Sequence, residues 1–172
     1  MRRLIPCSLL LALLLLLAGC TSARLIETIH TAYTGPPARC VAIDPRGGIL
    51  ADEIAMELYN SGLNVLDADQ TSLLASRTGV SEFHINSPEG HEALRTDGVD
   101  ALLVVKSLMS WDGTPQTVTV RLISTHTSQI ITGLSWQNGW GGDIGSVLDR
   151  SMRKDIPEAA GQIAEALLTR IR

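Results

Sequence analysis

Aromatic side chains are scarce in this chain of 172 residues, which has three tryptophans, two tyrosines and one phenylalanine. Its core must therefore be packed mainly with Leu, Ile, Val and Ala. Cysteine is also sparse. Of the three, Cys7 and Cys20 fall in the N-terminal segment, so Cys40 stands alone in the remainder and has no intramolecular disulfide partner. Cys40 lies in the apolar run "RCVAID" and reads as a small buried hydrophobe rather than a reactive thiol. There is no excess of positive charge: 14 basic side chains face 18 acidic ones. An acidic domain argues against nucleic acid, whose binding rests on neutralising phosphates. The sequence holds no Gly-x-Ser-x-Gly, no His-Glu-x-x-His and no phosphate loop. The apolar run Leu9–Leu17 falls short of the roughly 20 residues that span a bilayer comfortably.

What is present begins with that run. Arg2 and Arg3 precede it and small residues close it, the layout of a bacterial export signal. Leu17-Ala18-Gly19-Cys20 resembles the lipobox of bacterial lipoproteins. The resemblance implies cleavage before Cys20 and acyl chains on its thiol and new amino group, an anchor that gains about 0.8 kcal/mol per buried methylene. The alternative is an ordinary signal peptide with a chance cysteine. Thr21 stands where an inner-membrane retention signal would show Asp, so the resemblance further implies the outer membrane, with the protein facing the periplasm. The expected organisation is a signal peptide over 1–19, a lipidated tether over 20–38 and one α/β domain over 39–172. With Arg2 and Arg3 removed, the mature chain carries about six net negative charges. Such a balance fits a cationic partner or simply a soluble surface.

From Thr21 to Arg39 the composition is mixed and ends near Gly35-Pro36-Pro37, which reads as a tether with a short ordered piece around Leu25–Ile29. A flexible tether of this length reaches on the order of 25 Å. "CVAID" is a compact strand, followed by turn residues Pro45, Gly47 and Gly48. Leu50, Ile54 and Leu58 recur every four residues and predict a helix that Gly62 stops. Leu63–Ala68 is the next strand, and a short helix follows around Thr71–Thr78. Ser87-Pro88-Glu89 opens another helix, with serine as N-cap, proline in the first turn and an acid near the positive helix end. Ala101–Trp111 is the most apolar stretch and the expected central strand, with Trp111 a structural residue. After the turn Asp112-Gly113-Thr114-Pro115, Val118, Val120 and Leu122 alternate with Thr117, Thr119, Arg121 and Ile123, the mark of an antiparallel strand with one more polar side. A further strand, Ile130–Trp136, leads to a helix carrying Ile144, Val147, Leu148 and Met152. A last helix carries Ile156, Ala160, Ile163, Leu167 and Ile171. The order β-α-β-α-α-β-β-β-α-α predicts a mixed β-sheet with packed helices, an α/β (α+β) fold.

The runs "ILADEIAMELYNSGLNVLDADQTSLLASRTGV", "GVDALLVVKS" and "VTVRLISTHTSQIITGLSW" resemble a set of envelope lipoproteins with the fold of the TolB N-terminal domain. The set includes the curli secretion lipoprotein, the penicillin-binding-protein activator lipoprotein and the outer-membrane lipoprotein of Pel polysaccharide export. In this sequence Gly98-Val99-Asp100 replaces a usual Gly-Ala-Asp, Ser124 a usual Asp and Ser128 a usual turn glycine. The chain is too short for the barrel hairpins of the curli channel, and its tether is short beside that of the synthase activator. By resemblance the expected role is therefore a non-enzymatic, ring-forming subunit for export of an envelope polymer, an exopolysaccharide of the Pel type. The partners implied are further copies, an export pore and a cationic polysaccharide, with no cofactor. The alternative role is a periplasmic activator of a peptidoglycan synthase.

Other side chains invite chemical readings. His84, Glu89, His91 and Glu92 lie close in sequence but lack the spacing of a known metal-ligand set, and read as a solvated surface. Pro45-Arg46-Gly47-Gly48 before a helix has the elements of an anion site, though a plain strand-to-helix turn explains it. Asp52, Glu53 and Glu57 read as a solvated helix face. Trp136 and Trp140 either cap the core or a subunit contact, or lodge at the headgroup level of a membrane, where indole finds both apolar and polar surroundings.

Overall fold

The computed structural model describes residues 23–28, 33, 35–139, 143 and 145–171. Cys20 and the 1–19 segment lie outside the described residues, as do Trp140 and Ile144. One six-stranded mixed sheet forms the centre, in the order β1-β6-β5-β4-β2-β3. Its strands are β1 (Arg24–Thr28), β2 (Cys40–Ile43), β3 (Asn64–Leu66), β4 (Ala101–Met109), β5 (Pro115–Ser124) and β6 (Ile130–Gln137). β3, β2 and β4 run parallel, while β4, β5, β6 and β1 run antiparallel. The helices are α1 (Gly48–Asn60), α2 (Ala68–Thr78), α3 (Pro88–Thr96), α4 (Val147–Met152) and α5 (Ile156–Ile171).

The expected element order holds from β2 onward, and β4 is central as its apolar run requires. The short ordered piece expected around Leu25–Ile29 overlaps a strand, Arg24–Thr28, paired along its length with β6. Its pairing partner lies at the far end of the sequence.

Side-chain alternation divides the strands between two apolar layers. Val41, Ile43, Leu103, Val105, Val120, Leu134 and Trp136 face α1 and α5, which bring Leu50, Ile54, Leu58, Ile163 and Leu167. Ala42, Leu102, Val104 and Ile123 face the other way, against Leu74, Ala75 and Leu94 of α2 and α3. Alanines at 51, 55, 159, 160 and 164 are buried in the first layer. Small side chains there let two helices lie close on one sheet face.

The caps follow from sequence. Asp67 accepts from the Gln70 amide at 2.8 Å and Ser87 from that of Gly90 at 3.2 Å. Gly79 ends α2 in the left-handed conformation that glycine adopts at no steric cost. At Gly90 a side chain would collide with the Ile85 and His84 carbonyls, so glycine lets α3 press on the preceding turn.

The Gly98-Val99-Asp100 segment ties the parallel half together. Asp100 Oδ2 accepts the amides of both Arg39 and Cys40 at 2.9 Å, and its own amide donates to the Cys40 carbonyl. Thr125 Oγ1 donates to the Val99 carbonyl at 2.6 Å. Partial burial pushes the Asp100 carboxyl pKa up. The two amides and His126 outweigh that and hold it below the ordinary value.

Candidate functional site

The three tryptophans divide differently from expectation. Trp136 is fully buried among the first apolar layer, and its Nε1 donates to Gln162 Oε1 at 2.8 Å. A ring with no exposed surface meets neither membrane nor partner, so the core reading holds and the contact reading is withdrawn. Trp111, expected to be structural, is 90% exposed. The cause is local: β4 ends at Met109, and a tight turn closed by the Ser110 amide on the Thr114 carbonyl (2.8 Å) places Trp111 at its tip.

The segment after β6 turns its apolar side outward. Val147 and Leu148, which mark this helix in the sequence, are 82% and 52% exposed. The buried side chain of α4 is Asp149. It accepts from the Gly145 amide at 2.8 Å and pairs with Arg153 at 3.0 Å. Arg153 also reaches Asp112, beside Trp111, at 3.8 Å. Asn138 Nδ2 donates to the Pro115 and Lys154 carbonyls, at 2.6 and 2.8 Å, and joins the β5 start to the same region. A carboxylate turned inward onto an arginine thus fixes α4 with its apolar side to solvent. Such an inversion escapes a periodicity argument.

The imagined metal cluster is dispersed. His84 and Glu89 line a shallow groove with Gly79 and Ser87, whereas Glu92 pairs with Arg95. His91, read as solvated, is buried. Its Nδ1 lies 2.8 Å from Ser128 Oγ and its Nε2 3.1 Å from Asn86 Oδ1. The amide oxygen only accepts, so Nε2 carries the proton and Nδ1 accepts from the serine hydroxyl. Burial holds its pKa below the ordinary histidine value. Ser128, which stands at the turn-glycine position of the pattern the sequence resembles, keeps the left-handed backbone at φ 57°. The missing glycine is therefore answered by a strained serine held by a buried imidazole. Among the described residues no three metal-ligating side chains converge.

Arg46 is engaged by buried Asp44, at 2.9 Å through Nε and 2.6 Å through Nη2. That pairing, within the turn Pro45–Gly47, occupies the one cation an anion site there would need. Cys40 is half-buried, packed on the second apolar layer; burial, then Asp100 and Asp97, push its thiol pKa up and away from reactivity. Asp52 is exposed, and its pKa is raised by local desolvation and by Asp69 and Asp67. Glu57 belongs to another feature. Together with Glu165, Ser61, Gly161 and Leu168 it lines an open groove of about 480 Å³ between α1 and α5. No described helix is long and apolar enough to cross a membrane.

No protein-family model and no curated protein sequence matches the chain. Among solved structures, a PelC dodecamer from Paraburkholderia phytofirmans aligns over 87% of this chain and 98% of its own, at a TM-score of 0.47 and 14% identity. The LpoB C-terminal domain from Salmonella enterica aligns over 62% and 87%, at 0.45 and 18%. Lipoprotein GNA1162 from Neisseria meningitidis aligns over 77% and 96%, at 0.45 and 16%. PelC and LpoB fall within the lipoprotein set whose motifs the sequence resembles. At these identities the likeness concerns the course of the chain and says nothing of its role.

Proposed function

We propose that the chain is a non-enzymatic lipoprotein of the outer membrane, facing the periplasm, whose copies assemble to support export of an envelope polymer. An exopolysaccharide of the Pel type is the favoured cargo. The observation that carries the proposal is the lipobox-like Leu17-Ala18-Gly19-Cys20 set four residues ahead of β1. A diacylated Cys20 would hold the domain on the bilayer and concentrate copies in a plane, which makes weak lateral contacts sufficient. Ile49, Met56 and Tyr59 supply such a contact: they recur along one side of α1 and are 69%, 58% and 64% exposed. The Glu57–Glu165 groove is a surface suited to a cationic polymer. Trp140 is retained as a membrane or partner contact.

Fractionation of a Cys20→Ser variant, with polymer measured in the medium, tests the reading. Release of the variant from membranes together with loss of secretion supports it. A variant that stays with membranes and still secretes refutes it. A stable monomer that captures a peptidoglycan synthase would replace export by synthase activation.

A further inference from the structure

Strand register shows where Trp111 stands. Leu108, Thr117, Gln137 and Arg24 form one row across β4, β5, β6 and β1. This row lies at the end of the sheet where β4 turns into β5 and where β1 begins. Cys20 precedes Arg24 by four residues. An extended chain covers at most about 3.6 Å per residue, so Cys20 lies within about 14 Å of Arg24 whatever path joins them. The turn bearing Trp111 and the entry from Cys20 therefore share one end of the domain.

The same end carries α4. Arg153 links Asp149 of α4 to Asp112, and Asn138 links the start of β5 to Lys154. This end therefore carries four apolar side chains that are each at least half exposed: Trp111, Leu108, Val147 and Leu148. Asp112, the acid beside the indole, is paired with Arg153, which reduces the charge that would oppose burial there. Arg24 and Lys106 lie on the neighbouring open sheet face, in the first and third rows from this end.

We infer that this end, led by Trp111, seats on the bilayer that holds the acyl chains of Cys20. The inference rests on the lipid anchoring proposed above and deepens it, because it assigns the orientation of the anchored domain. Indole suits the headgroup level, where its body is apolar and its N–H finds acceptors. The three aliphatic side chains bury alongside, while Arg24 and Lys106 meet anionic headgroups. The short connection favours lipid over another protein as occupant. Every anchored copy holds this end beside the membrane, so docking there needs no further encounter.

The test uses the full lipidated protein in vesicles of phosphatidylethanolamine and phosphatidylglycerol, with or without lipid brominated in its acyl chains. Flotation reports anchoring, and quenching of tryptophan emission reports contact with the acyl region. Brominated vesicles are expected to dim the wild-type protein, and Trp111→Phe to remove at least half of that dimming. Buried Trp136 contributes none of it. Trp111 is exposed, so the variant keeps its fold, which circular dichroism verifies. Flotation with equal quenching in both proteins overturns the docking and leaves the anchor standing. Flotation without quenching, with Trp111 shielded only at densities where copies associate, assigns this end to a second copy and overturns it too. A protein that does not float removes the anchor and the inference together.

Discussion

Replacing Ser128 by alanine, and separately by glycine, separates the two forces that act on the turn between β5 and β6. The hydroxyl donates to a buried imidazole 2.8 Å away. Removing it takes the donor from His91 Nδ1, but Ser128 is exposed and water can partly replace the hydroxyl, so the cost is about 0.5–1.5 kcal/mol. The backbone at φ 57° costs a non-glycine residue about 1–2 kcal/mol. Alanine loses the hydrogen bond and keeps the strain. Glycine loses the same bond but relieves the strain. Ser128→Ala is therefore expected to fall about 0.5–1.5 kcal/mol below wild type, and Ser128→Gly to lie about 1–2 kcal/mol above the alanine variant. Urea unfolding of the protein without its signal segment, at pH 7.5 where His91 is neutral, measures both. Alanine as stable as wild type would show that the hydroxyl is idle. Alanine equal to glycine would show that the turn stores no strain.

Four further outcomes are expected. Because burial places the folded pKa of His91 below 6.5, the unfolded chain takes up a proton first. Stability should hold above about pH 6.5 and drain away from there down to the folded pKa, and His91→Gln should abolish that component of the slope in urea titrations. Asp100→Ala removes a carboxylate that accepts two amides, and at neutral pH should cost about 3 kcal/mol. Its folded pKa lies below 3.8, so the contribution is complete above about pH 4 and the gap to wild type should close as pH falls through the folded value; a gap undiminished at pH 2 contradicts this. Trp136→Ala opens the first apolar layer and should cost about 3–5 kcal/mol by thermal or urea unfolding, whereas a loss under 1 kcal/mol would place the ring outside the core. Met56→Glu combined with Tyr59→Glu should lower the mass seen by light scattering without lowering the melting temperature, and an unchanged mass would remove α1 from any contact between copies.

Much of the architecture was legible because it is written in periods. Leu50, Ile54 and Leu58 placed α1 on the sheet, and Ile163 and Leu167 did the same for α5. The alternation of Val118, Val120 and Leu122 marked β5, whereas the sequence left Trp136 between core, subunit contact and membrane, and only the structure shows it in the inward run Thr132, Leu134 and Trp136. The candidate surface was less legible, since each of its determinants acts at a distance. β1 reads Arg-Leu-Ile-Glu-Thr, without clean alternation, and its partner lies at the other end of the sequence. α4 shows its apolar side to solvent because Asp149 turns inward to Arg153. Trp111 sits at a turn only because β4 stops two residues earlier. His91 looks solvated between two glutamates until Ser128, from another element, supplies its hydrogen bond. A glycine just before it, where α3 meets the Ile85 carbonyl, was the one local sign of close packing.

β1 is made first and pairs with the strand made last. A chain delivered N-terminus first therefore offers this segment before any partner exists for it. β2, β3, β4 and β5 can pair with one another while it waits, since none of them pairs with it. Folding of the parallel half and closure of the sheet are thus separate events in time, with the second gated by the arrival of β6. If acylation occurs in that interval, the final strand is laid down by a molecule already fixed at one end, and lipid attachment precedes the last step of maturation.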